Sequence, residues 1–373
     1  AIWLALVWTL VLQGPIHVAA QEREEEQEQI DVEVQPDYYA ESPLLREYAS
    51  EALERNPSIQ EVLARYRAAL QKVPQVTALP DPVFGFTQAI RSVETRVGPQ
   101  NNGFVLSQAF PWFGKLDLRG KVVLQEAVSW YQLYQARQRE VISQLKRAFY
   151  ALSYIDAAIQ INDEERSLLE HYEGLAQTRY ATGQGLQQAV IKIQAEITRV
   201  MDRLEILRQQ RVSLSANLNS LMDRAPHEPV PAVGRLNLPR MQLNLDELYL
   251  LGETNLQELK AAQALIERSE KSIDLAKKDY WPNFLVSAGF TNIGDRSDPA
   301  GIAQPPPDNG KNAFSLSVGI NIPIWRDKYD AGVQEAAETL LAQRSNYANV
   351  LNEMEFSVRD QVIRLETLQD QVD

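Results

Sequence analysis

Side chains that commonly catalyse reactions or bind metal ions are few in this sequence, and they are scattered. The three histidines lie far apart, at His17, His171 and His227, so they indicate neither a metal site nor a catalytic triad. The absence of cysteine excludes a cysteine nucleophile, a thiolate metal site and any disulfide bond. The four methionines do not cluster, which removes the usual indication of a copper or silver site. We therefore predict no catalytic, cofactor-binding or metal site, and an enzyme is the least expected class.

The charged side chains also point away from catalysis and from nucleic acid. Glu164 and Glu165, and the acidic residues of segment 202–205, lie on predicted helices with arginines nearby, which is typical of solvated faces and surface ion pairs. The formal net charge of −13 argues against a nucleic-acid partner, because phosphate binding requires clustered Lys and Arg. The function must come from the arrangement of the elements.

The strongest pattern is a heptad repeat in the middle of the chain. Apolar residues recur there in alternating steps of four and three, interrupted once by Arg211, at Leu186, Val190, Ile193, Ile197, Val200, Leu204, Leu207, Leu214, Leu218 and Leu221. This spacing predicts a narrow apolar stripe that packs against another helix along its whole length. The expected antiparallel partner is the preceding long helix, predicted over residues 115–180, which repeats the spacing at Ile142, Leu145, Phe149, Leu152 and Ile159.

A short turn with two glycines joins these two helices. Glycine suits a sharp reversal of the chain, and the turn consists of Thr182, Gly183, Gln184, Gly185 and Leu186. The first helix would be roughly 95 Å long, so the turn is the far end of a long hairpin. We predict that this tip contacts a partner protein; a plain hairpin turn is the simpler interpretation, and both can hold.

Four segments alternate large apolar side chains with small or polar ones, as half-exposed β-strands do. They are residues 83–90, 103–110, 283–292 and 313–322, joined in pairs by the polar loops 91–102 and 294–312. Their length and alternation are typical of outer-membrane barrel strands, apolar toward lipid and polar toward a lumen. Aromatic residues at the strand ends, which we expect at the membrane interface, are Trp112, Phe113, Trp281 and Trp325.

Four strands cannot close a barrel, so several chains would have to pool their hairpins. The alternative is a soluble helical protein with two hairpins whose apolar faces pack on each other. The flanking long helices, the small polar strand face and an expected secretory leader favour the membrane interpretation. The predicted fold class is therefore mainly α with a small β part: long antiparallel coiled-coil hairpins plus four transmembrane strands of a shared barrel.

The sequence divides into five predicted segments. Residues 1–20 look like the remnant of a signal peptide, and residues 21–43 like a disordered acidic linker. A first structural repeat, 44–222, and a second, 246–373, flank a proline-rich linker, 223–245. The offset between the repeats is near two hundred residues, so that Asn255 is expected to open a helix as Asn56 does, and Pro282 matches Pro82. The final helix has no return partner, so we expect a fragment without its native ends.

This duplicated order resembles the TolC family of outer-membrane efflux proteins over nearly everything after Leu44. The motifs that carry the resemblance are QAFPWFGKL at 108–116, NIPIWRDK at 321–328 and RYATGQGLQQAV at 179–190. It implies a homotrimer with a twelve-stranded barrel in the bacterial outer membrane and an α-helical periplasmic tunnel. It also implies a passive export duct in a tripartite efflux system for drugs, metal ions or other small molecules, or in type I secretion. The implied partners are a periplasmic adaptor (membrane fusion) protein, an inner-membrane RND or ABC transporter, and outer-membrane lipid.

Two other classes stay open. One is a non-conducting secreted or periplasmic coiled-coil structural protein. The other is a periplasmic adaptor, which also has a long helical hairpin, although this chain shows no β-rich flank of lipoyl-like and barrel domains.

Overall fold

The computed structural model of the chain describes residues 42–234 and 244–372. The predicted signal peptide lies outside the described residues, as do all but the last two residues of the predicted linker 21–43 and residues 235–243 of the linker 223–245.

The described residues form eight helices and four strands in two runs of similar order. The first run is α1 (Pro43–Arg55), α2 (Pro57–Thr77), β1 (Val83–Thr95), β2 (Gly98–Phe110), α3 (Lys115–Ala181) and α4 (Gln187–Leu221). The second run is α5 (Leu245–Asn255), α6 (Gln257–Lys278), β3 (Phe284–Ile293), α7 (Pro299–Ala303), β4 (Ala313–Ile320) and α8 (Arg326–Val372). The predicted fold class is confirmed, whereas the division into two structural repeats at 44–222 and 246–373 stays a prediction. No helix among the described residues is both long and apolar enough to cross a membrane.

Asparagine caps one helix at a predicted position and another at a position that was not predicted. The side chain of Asn56 accepts hydrogen bonds from the backbone N–H groups of Ser58 (3.0 Å) and Ile59 (3.4 Å), as expected for an N-cap before proline. The prediction that Asn255 opens a helix is wrong: α5 ends at Asn255, and Leu256 is the N-cap of α6 without a side-chain hydrogen bond. The cap of the preceding helix is Asn244, which accepts from the N–H of Asp246 at 3.1 Å.

The long hairpin of α3 and α4 carries the predicted stripe over most of its length. On α4, Val200, Leu204 and Leu218 are at most 1% exposed, and on α3 Leu145, Phe149 and Leu152 are fully buried. The predicted stripe begins too early, because Leu186 precedes α4 and is 74% exposed. Helix α3 has 67 residues, which gives it a length of about 100 Å.

Arg211, which interrupts the stripe, is held by a carboxylate on the facing helix. Its Nε donates to Asp156 Oδ1 at 2.5 Å, and its Nη2 donates to the carbonyl of Val230 at 3.1 Å. Asp156 also accepts from the N–H of Val233 at 2.8 Å. The polar pair thus fastens the described part of the proline-rich linker against the hairpin.

The four strands form one antiparallel sheet in the order β1-β2-β3-β4. The first hairpin is longer than predicted, because β1 continues to Thr95 and β2 starts at Gly98, so most of the predicted loop 91–102 is paired. The reason is a tight turn at Gly98, whose φ of +124° favours glycine, with the Thr95 hydroxyl donating to the Gly98 carbonyl at 2.7 Å. The second loop, predicted over 294–312, contains the short helix α7.

Candidate functional site

One face of the sheet exposes a continuous row of phenylalanine side chains. Phe86, Phe104, Phe290 and Phe314 are paired directly across the four strands, and neighbouring ring centroids lie 5.2, 6.2 and 5.0 Å apart. Phe86 and Phe314 are 55% and 82% exposed. Such a large apolar surface is not covered by any described part of this chain, and exposed apolar patches of this kind mark membrane or protein contacts.

The opposite face of the sheet carries mostly small side chains, although Val105 and Leu285 also lie on it. Ser107 and Ser287 lie opposite each other on β2 and β3, and their hydroxyl oxygens are 2.9 Å apart in a hydrogen bond. Gly289 faces Ser315 so closely that a Cβ on the glycine would lie 2.6 Å from the serine Oγ. This face therefore suits water or a polar solute better than lipid.

Both outer edges of the sheet lack a partner strand within the described part of the chain. β1 pairs only with β2, and β4 pairs only with β3. Every residue of β4 is exposed, on the apolar and the small face alike. Unpaired backbone groups at such edges are free to bind further strands.

The predicted interfacial aromatic residues come together in part at the strand ends nearest the helices. Trp112 stacks on Trp281 with a centroid distance of 5.0 Å and an interplanar angle of 16°, and on Phe284 at 5.4 Å and 17°. Phe113 lies beside Phe284 at 6.1 Å and is 75% exposed. Trp325 is 71% exposed at the end of the β4 segment and has no aromatic neighbour among the described residues. Their position at the membrane interface stays a prediction.

Sequence reasoning missed the buried lysine beneath this aromatic stack. Lys115 begins α3, and its side chain is 4% exposed. Its Nζ lies 3.3 Å from the Trp281 carbonyl, 3.2 Å from Asn283 Oδ1 and 3.2 Å from Asp279 Oδ1. Asn283 Oδ1 also accepts from the N–H of Trp112 at 3.0 Å. The lysine thus ties the first run of elements to the second, a role that the motif QAFPWFGKL did not reveal.

At the other end of the sheet, the two hairpin loops are joined. The N–H of Gly294 donates to the Pro99 carbonyl at 2.8 Å, and the N–H of Gly310 donates to the Val97 carbonyl at 2.8 Å. Arg96 pairs with Asp308 at 2.5 Å and holds the pKa of that carboxyl below its usual range. The loops are therefore fixed to each other by backbone hydrogen bonds and by one ion pair.

The predicted partner-binding tip is an exposed turn. Thr182, Gly183, Gln184 and Leu186 are exposed and Gly185 is half-buried. Gly183 has a φ of +72°, which favours glycine. A Cβ at Gly185 would lie 3.0 Å from the backbone nitrogen of Tyr180, so this glycine shapes the turn itself. Contact of the tip with a partner stays a prediction.

A second apolar stripe on α3, which sequence reasoning also missed, faces away from α4. Its members are exposed and recur every seven residues, at Tyr154, Ile161, Leu168 and Leu175, with exposed fractions of 71, 62, 53 and 46%. The seven-residue interval is a signal in the sequence that could have identified this stripe. Apolar side chains at heptad spacing on an uncovered helix face are suited to packing against another helix.

Among the described residues, no group of three or more His, Cys, Asp or Glu side chains is placed to hold a metal ion. Arg224 forms an ion pair with Glu51. The guanidinium of Arg224 donates to both carboxylate oxygens and lies over the Tyr48 ring at 5.2 Å. The hydrogen bond from Arg224 lowers the pKa of Glu51, and the same bond raises the pKa of Arg224. This pair fixes α1 against the end of α4.

No protein-family model matches the chain, and no curated protein sequence matches it. Solved structures do match its fold. The outer membrane protein VceC from Vibrio cholerae has a TM-score of 0.68 at 15% identity, over 88% of this chain and 80% of that chain. CusC, a protein that folds and forms a transmembrane channel, has a TM-score of 0.69 at 14% identity, over 88% of this chain and 77% of that chain. The outer-membrane channel OprN has a TM-score of 0.65 at 18% identity, over 89% and 77%. The chain therefore has the fold of TolC-family outer-membrane channels, as the resemblance predicts for a single chain.

Proposed function

We propose that this chain is the outer-membrane channel component of a tripartite efflux system in bacteria. It acts as a passive duct from periplasm to exterior for drugs, metal ions or other small molecules, or in type I secretion. The observation that carries the proposal is a four-stranded sheet, in a fold shared with outer-membrane channels. Among the described residues, its apolar face is uncovered and its two edges have no partner strand, and its other face carries mostly small residues.

The sheet supports insertion in lipid as part of a shared barrel. A bilayer covers the phenylalanine row without requiring another protein surface, and the small-residue face lines the lumen. Open strand edges are not tolerated in hydrocarbon, so β4 of one copy has to pair with β1 of the next. Three copies with four strands each give a barrel of twelve strands, an even number within the known range.

The long helices support the same assembly below the membrane. In a homotrimer, the exposed stripe of Tyr154, Ile161, Leu168 and Leu175 packs on helices of a neighbouring copy. The helical hairpins then form a wall that continues the duct into the periplasm. Selectivity in such a pore comes from its width and lining charge, since a duct has no catalytic turnover.

The tip is the proposed contact with a periplasmic adaptor, which links the channel to an inner-membrane RND or ABC transporter. Leu186 offers the apolar side chain for this contact, because it is 74% exposed at the tip. Leu186→Arg should abolish site-specific crosslinking to the adaptor. The matched control is Met201→Arg, because Met201 is a 54% exposed apolar side chain on α4, about 20 Å from the tip. Equal crosslinking in both variants would contradict the contact.

The experiment that tests the channel itself is planar-bilayer conductance, with the oligomer mass in detergent measured on the same sample. We expect steady single-channel currents from a trimer. A folded monomer that never conducts would instead favour the non-conducting secreted coiled-coil protein. That alternative requires the phenylalanine row to be covered by protein, so it also predicts that the chain does not enter lipid vesicles.

A further inference from the structure

An open apolar groove lies where the strands meet the long helices. Its volume is about 550 Å³, within the range of sites for small ligands. None of the side chains that line it carries a charge. They are Leu79, Phe110, Pro111, Trp112, Phe113, Leu116, Phe284, Val286 and Val318, together with the backbone of Gly114.

The groove belongs to the apolar face of the sheet. Phe284, Val286 and Val318 lie on the same face as the phenylalanine row, by the alternation of β3 and β4. Trp112 forms one wall, held flat between Trp281 and Phe284. In the proposed barrel the groove therefore opens to hydrocarbon at the periplasmic edge of the membrane.

A cation lies at the helix end of the groove. A Cβ on Gly114 would be 3.9 Å from the Nζ of Lys278, so the ammonium group is adjacent to this lining glycine. Within the described residues, no carboxylate is paired with Lys278, whereas the neighbouring Asp279 is paired with the buried Lys115. The last turn of α6 adds Lys277, which is exposed. The groove thus combines a long apolar surface with a free positive charge at one end.

We propose that this groove binds a phospholipid of the surrounding leaflet, with one acyl chain on its apolar lining and the headgroup phosphate at Lys278. The proposal rests on the proposed function, since it requires the apolar face to lie in lipid. An acyl chain is the occupant that fits an entirely apolar lining open to hydrocarbon, and an anionic headgroup fits the free ammonium. The bound lipid would extend the aromatic belt and fix the height of the barrel relative to the membrane.

The test uses the full chain, purified in detergent, delipidated and titrated with phosphatidylglycerol or phosphatidylethanolamine in native mass spectrometry. We expect phosphatidylglycerol to bind preferentially, up to one molecule per chain. Lys278→Gln should weaken it about fivefold, the effect of one lysine near an anionic lipid, while its matched control on the same helix, Lys260→Gln, should not. Val318→Trp should fill the groove and displace both lipids, while Leu316→Trp, two residues away on the same face, should leave them bound.

The outcomes separate the lipid site from the channel. If the protein conducts but both lipids bind equally and neither site variant differs from its control, the lipid site is refuted and the channel stands. If Val318→Trp disrupts the trimer without affecting lipid retention, a second copy of the chain covers the groove instead. If the protein neither inserts into bilayers nor retains lipid, the proposed function fails together with this site.

Discussion

Replacing Lys115 tests whether the buried junction beneath the sheet holds the two runs of elements together. We consider Lys115→Met, which keeps an unbranched apolar side chain and removes the ammonium group. Hydrogen bonds to charged groups contribute about 1.5–3 kcal/mol each, but the buried ammonium also has a desolvation cost of several kcal/mol. Breaking a buried ion pair costs about 3–5 kcal/mol when the remaining charge stays buried.

The cost here should be smaller than that range. The carboxylate of Asp279 is 51% exposed, so water solvates it when the lysine is removed. Asn283 Oδ1 keeps its hydrogen bond from the N–H of Trp112. The Trp281 carbonyl loses the hydrogen bond that the lysine donates to it. We expect Lys115→Met to lower the free energy of unfolding by about 2 kcal/mol.

The matched control is Lys121→Met on the same helix. Lys121 pairs with Asp117 at 2.8 Å, a shorter distance than the 3.2 Å between Lys115 and Asp279. However, the side chains of Lys121 and Asp117 are both more than half exposed. An exposed pair of this kind contributes at most about 0.5 kcal/mol, so this variant should be nearly neutral. Denaturant titrations followed by tryptophan fluorescence and circular dichroism would compare the midpoints at equal slope. Equal destabilisation by both variants would show that burial does not determine the strength of these pairs, and the reasoning would be wrong.

Three further predictions follow from the described contacts. Because Arg224 lowers the pKa of Glu51, the pair stabilises the fold above the ordinary carboxyl pKa, and this contribution is lost as the pH falls through the acid range. Glu51→Gln should therefore flatten the acid part of the curve of unfolding free energy against pH. An unchanged curve would contradict the assignment. Leu168→Glu should leave the secondary structure of the chain intact but reduce the trimer fraction in analytical ultracentrifugation, whereas a fully assembled variant would exclude this stripe from the interface. Gly98→Ala would place a Cβ 1.8 Å from the Gly294 carbonyl oxygen, at a backbone φ of +124° that favours glycine. We therefore expect the two joined hairpin loops to separate and become sensitive to limited proteolysis. Protease resistance equal to that of the parent protein would refute this expectation.

The parts of the fold that sequence predicted are those set by local periodicity. Alternation of apolar and small residues located all four strands, and the heptad spacing located the hairpin of α3 and α4, because burial on one face imposes a period of two or 3.5 on the sequence. The loop between β1 and β2 was predicted too long, since most of the polar segment 91–102 is paired within the two strands. Pairing there depends on backbone hydrogen bonds and on Gly98, which composition does not reveal.

The contacts between distant segments could not be predicted from the sequence. Lys115 meets Asp279 and Asn283 only because the strands β2 and β3 pair, and a single lysine at a helix start has no signature of burial. Arg211 interrupted the heptad visibly, but its partner Asp156 lies on the facing helix and is found only once the two helices are in register. The lipid groove likewise combines residues from three strands and the starts and ends of helices.

The most direct test of the central claim asks which face of the sheet lines a water-filled lumen. The chain contains no cysteine, so single cysteines can be introduced without background. Ser315→Cys and Leu316→Cys place a thiol on adjacent residues of β4 that face opposite sides of the sheet. In single-channel recordings, a charged, water-soluble thiol reagent should react with Ser315→Cys and lower the conductance, and it should leave Leu316→Cys unmodified. Modification of Leu316→Cys alone, or of both to the same extent, would contradict the assignment of the apolar face to lipid and with it the channel.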